Sequence, residues 1–303
     1  MQRPRHIGIG GTKCRQHVKH QLMKLRSILL LAAAQLFLAP LGLSAQKVPA
    51  GITVMSFNIR MGTANDGTNS WEYRYPATAM MIYDQKPDVV GVQEALYEQV
   101  MYLKNALSPD YKVFGVGRED GRNKGEHMEI LYNKKTVKVL KWGTFWLSET
   151  PKKPSMGWDA ACYRSATWAL MKEKKSGRKF YMVNTHLDHI GVVAREKGLQ
   201  LICNKIAEMN KSGLPMVLTG DFNMEITDPS MAPVKKAMKN ARTDAVKTDD
   251  HFSYNGWGKD SDTIDYVWYS GFSSCTEFQT VTKPYMDRTF ISDHFPVKAH
   301  LIF

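Results

Sequence analysis

Cysteine is scarce in this sequence, and its scarcity excludes several classes of protein. The 303 residues contain four cysteines, Cys14, Cys162, Cys203 and Cys275. They form no CxxC pair and no Cys/His cluster, so the chain has neither a zinc-finger pattern nor a disulfide framework. If Cys14 leaves with an N-terminal leader, three cysteines remain and at least one of them is unpaired. The sequence allows one disulfide, but a chain of this length does not need it.

Long hydrophobic runs are absent after residue 45. The apolar run before that point, Ile28–Leu43, follows the basic start Met23–Arg26 and leads into the small pair Ser44-Ala45. Its 16 residues fall short of the roughly 20 that a membrane-spanning helix needs. This order is typical of a cleaved signal peptide, which we predict to start at Met23 within a leader of residues 1–45; a retained membrane anchor is the alternative. We therefore predict export, to a bacterial periplasm or the extracellular space, with no membrane span after cleavage.

A concentrated basic tract is missing as well. The formal net charge is +12, but residues 1–45 hold seven basic residues and no acidic ones. The remainder has 34 basic and 29 acidic residues, a balance of +5. A modestly positive surface suits an anionic substrate, whereas proteins that bind nucleic acid usually carry a basic stripe. The charge therefore allows nucleic acid as a partner without favouring it.

Residues 46–303 show no linker, repeat or low-complexity stretch, and we predict a single domain. Short apolar runs alternate with helical patterns, which indicates an α/β protein. We predict strands at Ile52–Asn58, Val89–Gln93, Val113–Val116, Glu129–Tyr132, Val137–Leu140, Thr167–Met171, Phe180–Thr185, Met216–Thr219, Tyr266–Tyr269 and Val297–Phe303. We predict helices at Arg74–Gln85, Glu98–Leu107 and Val193–Asn210. This excess of strands favours two stacked, mixed and mainly antiparallel sheets with helices on their outer faces, and Asn133–Lys135 predicts a hairpin between the fourth and fifth strands.

One pattern recurs along the chain: an apolar strand runs directly into a polar or ionisable residue. Four strands lead into Asn58, Glu94, His186 and Asp221-Phe222-Asn223, and Ser292-Asp293-His294 precedes the last strand. Polar groups at strand ends can converge into one ligand site. Each motif alone is typical of a turn, a helix cap or a core residue, but the order and spacing of all five indicate a site.

Six blocks of sequence resemble the signature motifs of the endonuclease/exonuclease/phosphatase superfamily. They are Ser56–Arg60, Gln93-Glu94, Asn184–His189, Gly220–Asn223, Ile264–Tyr266 and Ser292–Pro296. The resemblance runs from about residue 52 to residue 303 and implies a four-layered α/β/β/α sandwich. Members include deoxyribonucleases, apurinic endonucleases, neutral sphingomyelinases, inositol polyphosphate phosphatases and deadenylases. Trp142–Ser148, Gly157–Cys162 and Thr167–Ala169 are similar to a secreted, largely uncharacterised bacterial branch.

The chemistry of phosphate-ester hydrolysis agrees with the residues in these blocks. The reaction needs neutralised charge on the non-bridging oxygens, an activated water and a stabilised leaving oxygen. Hard oxygen ligands such as the carboxylates of Glu94 and Asp293 suit Mg²⁺, for which Mn²⁺ could substitute. The resemblance implies that Glu94 and Asp293 hold this metal and that Asn58 supports its shell.

The resemblance also implies catalytic and substrate-binding residues. The catalytic set is His186, Asp221, Asn223, Asp265, His294 and Glu126, and the substrate-binding pair is Arg164 and His189. Asp221 with Asn223 would position or deprotonate the attacking water. His294 would contact the scissile phosphate or help to activate the water, and His186 would act on the phosphate or the leaving group. Asp265 would hold the ring of His294, and Glu126 that of His186. A surface salt bridge is the alternative for Arg164, and an ordinary loop histidine for His189.

Three functions follow from these residues as hypotheses. The first is a secreted, Mg²⁺-dependent, nuclease-like enzyme in which a metal-activated water attacks the phosphorus of a phosphodiester. The second is a phosphatase or phospholipase C-like enzyme that acts on inositol phosphates, phospho-sugars or sphingomyelin head groups. The third is a non-catalytic binding domain, against which the filled catalytic positions argue. We expect the protein to be a monomer.

Overall fold

A computed structural model describes residues 49–303. This part of the chain contains twelve strands and five α-helices. The strands are β1 (Gly51–Asn58), β2 (Val89–Ala95), β3 (Tyr111–Phe114), β4 (His127–Asn133), β5 (Val137–Trp146), β6 (Ser165–Glu173), β7 (Lys179–His186), β8 (Met216–Asp221), β9 (Lys239–Asn240), β10 (Asp265–Ser270), β11 (Ser274–Thr280) and β12 (Val297–Ile302). The helices are α1 (Trp71–Gln85), α2 (Tyr97–Ala106), α3 (Val192–Met209), α4 (Ala232–Ala237) and α5 (Ala241–Asp244). Every predicted strand and helix overlaps one of these elements, while the predicted leader lies outside the described residues.

The strands form two six-stranded sheets within residues 49–303. The order is β11-β12-β1-β2-β4-β3 in the first sheet and β5-β6-β7-β8-β10-β9 in the second sheet. Each sheet has one parallel pair at its centre, β1 with β2 in the first and β7 with β8 in the second. The other neighbouring pairs in this range are antiparallel. The prediction of mixed, mainly antiparallel sheets is therefore confirmed.

Three clusters of buried apolar side chains separate four layers. Between the sheets, Val54 of β1 packs in one cluster with Val217 of β8. On the outer face of the first sheet, Met81 of α1 and Leu103 of α2 are buried, and Ile202 of α3 is buried on the outer face of the second. Burial of each such side chain contributes about 1.5 to 3 kcal/mol. The fold is an α/β/β/α sandwich, as predicted.

The predicted hairpin around Asn133–Lys135 is wrong. The strand before it, β4, pairs with β2 and β3 in the first sheet, whereas the strand after it, β5, pairs with β6 in the second sheet. A turn signal in the sequence marks a change of direction but does not determine which strand becomes the partner. Two strands were not predicted, the two-residue β9 and the edge strand β11, where only three of seven residues are buried.

Two further expectations concern membranes and disulfides. In the described range, no helix has both the length and the apolar character to cross a bilayer. Cys162, Cys203 and Cys275 are all free thiols. The disulfide that the sequence allowed is therefore not formed among these three cysteines.

A buried amide joins the two sheets between their central strands. Asn184 of β7 is fully buried, and its Nδ2 donates to the carbonyl oxygens of Val92 at 2.8 Å and Glu129 at 3.0 Å in the first sheet. Its Oδ1 accepts from Gln93 Nε2 at 2.6 Å and from Thr219 Oγ1 at 3.1 Å. The amide thus has all of its hydrogen-bonding capacity satisfied by groups from both sheets.

Gly91 of β2 allows the sheets to approach closely at this network. A Cβ atom on Gly91 would lie 2.2 Å from Thr219 Oγ1 and 2.4 Å from Asn184 Oδ1. Both distances are far below van der Waals contact, so any side chain here would push the network apart. The glycine and the amide together set the spacing of the two sheets.

We predict that Asn184→Ala lowers the free energy of unfolding by about 3 kcal/mol, because it leaves several buried donors and acceptors without partners. Urea denaturation followed by tryptophan fluorescence measures the change. The matched control is Asn204→Ala, which removes an exposed amide of α3 whose hydrogen bond at 2.9 Å is to Gln200. We expect less than about 0.5 kcal/mol for the control; equal losses for both variants would contradict a special role for the buried network.

Candidate active site

Four strand ends meet at one edge of the sandwich. The central parallel pairs pack on each other, with β1 against β8 and β2 against β7. Parallel neighbours run in the same direction, so their carboxyl ends share one edge of the sheet. Asn58, Glu94, His186 and Asp221 stand at these four ends. The four strands that run into a polar residue in the sequence therefore all end at this one edge of the sandwich.

Two further segments complete this edge. Asp265, the first residue of β10, pairs in register with Asp221. The segment that carries Asp293 and His294 precedes β12 and is tied to β1, because Ser292 Oγ donates to the carbonyl oxygen of Asn58 at 2.7 Å. Acidic and imidazole groups from both sheets are thereby held close together.

Arg74 of α1 holds together the two chain segments that carry Asn58 and Asp293. Its fully buried guanidinium donates to the carbonyl oxygens of Ile59, Arg60 and Ile291. Burial lowers the pKa of Arg74 to about 10, so the group remains a cation at neutral pH. It joins the chain after β1 to the chain before Asp293.

The converging residues line a pocket of about 490 Å³. Nine of the eleven predicted site residues belong to its wall: Glu94, Glu126, Arg164, His186, His189, Asp221, Asn223, Asp293 and His294. The other two, Asn58 and Asp265, lie directly behind it and bond to Asp221 and His294. The structure thus brings all of the predicted residues into one site of a size typical for small-molecule ligands.

Asn58 lies at the centre of the acidic groups. Its Nδ2 donates to Glu94 Oε1 and to Asp221 Oδ2, each at 2.9 Å, and lies 3.4 Å from His294 Nε2. Its Oδ1 accepts from the backbone N–H of Arg60 at 3.0 Å, which fixes the orientation of the amide. Asn58 therefore spaces two carboxylates and presents its nitrogen, not its oxygen, to them.

The acidic centre has the chemistry of a divalent-cation site. Glu94, His186 and Asp221 each offer a ligand atom, and these atoms lie within 4.8 Å of one another. Burial and the neighbouring Asp265 raise the pKa of Asp221 to about 7, and burial also raises the pKa of Asp293. Carboxylates whose charge is disfavoured in this way gain from a bound cation. Their oxygen atoms suit Mg²⁺ or Mn²⁺.

The two histidines of the site have opposite electrostatic surroundings. Burial lowers the pKa of His294, but Asp265 and Asp221 outweigh it and raise the pKa to about 10. His294 Nδ1 lies 2.7 Å from Asp265 Oδ2, which is the contact that the family resemblance implied. Burial, together with Arg164, lowers the pKa of His186 well below its usual value. The surroundings of His294 thus favour its protonated form, and those of His186 favour its neutral form.

The tautomer of His186 follows from Asn223. Asn223 Nδ2 donates to the carbonyl oxygen of Leu187 at 3.0 Å, which identifies the amide nitrogen, and the same nitrogen lies 2.9 Å from His186 Nε2. Nε2 is therefore the acceptor, and the ring proton is on Nδ1. That proton points toward Glu126, whose Oε2 lies 3.8 Å from Nδ1.

The expected hydrogen bond between Glu126 and His186 is not formed, since 3.8 Å exceeds hydrogen-bonding distance. Both carboxylate oxygens of Glu126 are instead engaged by Arg118, at 2.8 Å each. This bidentate pair is the stronger interaction. The sequence reasoning missed Arg118, which lies in a glycine-rich loop without periodicity.

Arg164 is buried, so the alternative of a surface salt bridge is wrong. Its Nε donates to Asp188 Oδ2 at 3.2 Å, and its Nη2 lies 3.0 Å from His189 Nδ1. Burial raises the pKa of Asp188, but hydrogen bonds from the backbone N–H groups of Gly191 and Ile190 outweigh it and hold that pKa well below its usual range. Arg164 is therefore anchored by a permanent anion, and exposed His189 lies beside it at the mouth of the pocket.

Three pocket residues have left-handed backbone conformations: Arg60 with φ 57°, Glu94 with φ 60° and Asn223 with φ 50°. Such conformations cost about 1 kcal/mol or more for residues other than glycine and concentrate at functional sites. At Glu94 the pairing of β2 with β4 is interrupted between Val92 and Ala95. This bulge directs the Glu94 side chain into the pocket.

Known proteins resemble this chain, and two of them are solved structures that are covered along nearly their whole length. A mannosyl-6-phosphatase from Bacteroides thetaiotaomicron is 36% identical, with 83% of this chain and 100% of that chain covered and a TM-score of 0.79. An endonuclease/exonuclease/phosphatase protein from Bacteroides vulgatus is 34% identical, with coverages of 83% and 98% and a TM-score of 0.78. Nocturnin from Drosophila melanogaster is 24% identical over 80% of this chain, which spans 45% of that longer protein.

A family comparison covers most of the chain. The model of the endonuclease/exonuclease/phosphatase family matches residues 55–294. This range includes every predicted site residue, from Asn58 to His294. The chain therefore belongs to the endonuclease/exonuclease/phosphatase family and is a metal-dependent hydrolase of phosphate esters.

Proposed function

We propose that this protein is a divalent-metal-dependent phosphatase that removes the phosphate from a small phosphorylated sugar. The observation that carries the proposal is the pocket of about 490 Å³, in which an acidic centre faces two buried arginines. A pocket of this size encloses one small molecule, whereas double-stranded nucleic acid is bound by an extended basic surface. The sequence left phosphodiesters and small esters open, and the 36% identical mannosyl-6-phosphatase supports the small ester.

The phosphate group would lie between Arg118 and Arg164. Both side chains line the pocket, and each keeps one buried N–H group without a hydrogen-bond partner, Arg118 Nε and Arg164 Nη1. Buried polar groups are rarely left unpaired. A phosphate oxygen would satisfy both arginines, because guanidinium N–H groups match phosphate geometry.

The metal would be held by the carboxylates of Glu94 and Asp293, and Asn58, which bonds to Glu94 and Asp221, would support its shell. Mg²⁺ is the proposed ion and Mn²⁺ the substitute, since the donor atoms are oxygens. When bound, such a cation neutralises charge on the phosphate and lowers the pKa of a coordinated water.

The chain's own residues would carry the proton transfers. Asp221 lines the pocket, and its Oδ2 lies 3.4 Å from His186 Nε2 and 3.7 Å from His294 Nε2. Asp221 would accept a proton from the attacking water. His294, kept protonated by Asp265, would stabilise negative charge on the phosphate oxygens. Surroundings that give two ionisable groups, here Asp221 and His294, different pKa values are typical of acid/base pairs.

We predict that His294→Ala lowers kcat about 100-fold or more while leaving the fold intact, because the protonated imidazole beside the phosphate is lost. Hydrolysis of nitrophenyl phosphate with Mg²⁺ measures the effect, and circular dichroism checks the fold. His251→Ala is the control, since His251 is exposed and outside the pocket. Full activity of the His294 variant would show that the assigned site is not the catalytic one.

Metal binding gives a second prediction, which is tested through the stability of the protein and does not require substrate turnover. Saturating Mg²⁺ or Mn²⁺, at about 100 times its dissociation constant, should stabilise the native protein by about 2.7 kcal/mol, seen as a rise in the thermal midpoint. Asp293→Asn should reduce this rise, because one of the ligands loses its charge. Asp287→Asn, an exposed carboxylate outside the pocket, should keep the full rise. An unchanged rise in the Asp293 variant would remove Asp293 from the ligand set.

The substrate class is tested with the purified protein and Mg²⁺. We expect turnover of mannose 6-phosphate and nitrophenyl phosphate, abolished by EDTA, and no nicking of supercoiled plasmid. The physical reason is that a pocket of about 490 Å³ has room for one phosphate and a small group, whereas a duplex needs an extended basic surface. Nicking that EDTA abolishes, without turnover of either monoester, would restore the nuclease hypothesis in place of the phosphatase.

A further inference from the structure

Three side chains form a row that leads out of the catalytic centre. Tyr254 pairs with His294 on one side and with Asp262 on the other, in antiparallel bridges. Residues directly opposite each other in such pairs place their side chains on the same face. His294, Tyr254 and Asp262 all line the pocket, so this face is the one that looks into it.

The spacing of the row follows from its hydrogen bonds. Tyr254 and Asp262 exchange backbone bonds of 2.9 and 3.2 Å, whereas the bonds around the pair of Tyr254 and His294 run between Asn255 and Asp293 and between Phe295 and Ser253. The first pair is thus hydrogen-bonded and the second is not, with Cα separations of about 5.5 and 4.5 Å respectively. The Cα atom of Asp262 therefore lies ~10 Å from that of His294. Asp262 and His294 thus stand at opposite ends of the row, with Tyr254 between them.

The tyrosine between the two ends presents an aromatic ring. The ring centroid of Tyr254 lies 4.9 Å from that of His294, and its side chain is only partly buried. An aromatic face in this position packs against the carbon–hydrogen surface of a sugar. It offers no charge to a second phosphate.

Asp262 supplies the polar end of the row. It is exposed at the pocket rim, and no hydrogen bond or ion pair within residues 49–303 engages its carboxylate. The nearby carboxylate of Glu225, by contrast, accepts from the backbone N–H of Thr263 at 2.7 Å. An ionised carboxylate only accepts hydrogen bonds, so it binds hydroxyl groups and repels anions. Ile264, two residues further along the same extended segment, also lines the pocket.

We infer that Tyr254 and Asp262 form a subsite for the sugar, and that Asp262 determines specificity by accepting hydrogen bonds from its hydroxyl groups. The inference rests on the proposed phosphatase function and adds to it the residues that recognise the leaving group. The same carboxylate would exclude substrates with a second negative charge near the scissile phosphate, such as hexose bisphosphates and nucleic acid chains. The subsite thus separates neutral polyols from polyanions.

The test compares two substrates in Asp262→Ala. For mannose 6-phosphate we expect kcat/KM to fall about tenfold or more, mostly through a higher KM, since a charge-assisted hydrogen bond to substrate is lost. For nitrophenyl phosphate, whose leaving group has no hydroxyl donor to offer, we expect a change of less than about twofold. The ratio of hexose bisphosphate to mannose 6-phosphate turnover should rise. Asp260→Ala, which removes an exposed carboxylate from the same loop but outside the pocket wall, is the matched control.

The outcomes separate this inference from the proposed function. Equal losses on both substrates, or the same selective loss in the Asp260 control, would overturn the subsite. Turnover of nitrophenyl phosphate by the unmodified enzyme without turnover of any hexose phosphate would also overturn it while leaving a phosphatase in place. Failure of the unmodified enzyme on every monoester would instead overturn the phosphatase function itself.

Discussion

The amide of Asn184 is the constraint on which the active site depends. Its hydrogen bonds reach the carbonyl oxygens of Val92 and Glu129 in the opposite sheet, so a slip of one sheet along the other would leave buried polar groups unpaired. Gly91 leaves room for this contact, since a Cβ atom there would lie 2.2 Å from Thr219 Oγ1. The strand ends that carry the chemistry are aligned by residues that take no part in it.

Charge in the pocket is arranged so that each arginine already has an acidic partner. Glu126 holds Arg118, Asp188 holds Arg164, and Asp293 lies 3.5 Å from Arg60. A buried cation without a partner would be costly, and these pairings hold the guanidinium groups in place while some of their N–H groups stay available. The acidic centre and the arginines can consequently lie side by side in one pocket. A phosphate ester with a bound metal ion carries charges of both signs, so it complements a pocket lined by both carboxylates and arginines.

The sequence predicted the parts of the site that are local. Asn58 and His186 stand where an apolar run stops, and such a boundary is visible in a single chain. It did not predict Arg118 or Tyr254, because they reach the pocket through loops whose paths depend on contacts with distant segments. The false hairpin after β4 has the same origin: strand partners are selected by burial between layers, which short-range patterns do not encode. Family resemblance alone supplied Asp265, and it supplied the metal-binding role of Asp293, whose place before the last strand already belonged to the strand-end pattern.

The pairing of β1 with β12 has a practical consequence for protein engineering. Gly51 lies opposite Ile302, and the backbone N–H of Phe303 donates to the carbonyl oxygen of Ala50 at 2.9 Å. Both ends of the described chain thus meet at the start of β1, seven residues and ~23 Å of extended strand away from Asn58. A short linker could join them for circular permutation, and an affinity handle or immobilising surface attached at residue 303 would leave the mouth of the pocket unobstructed.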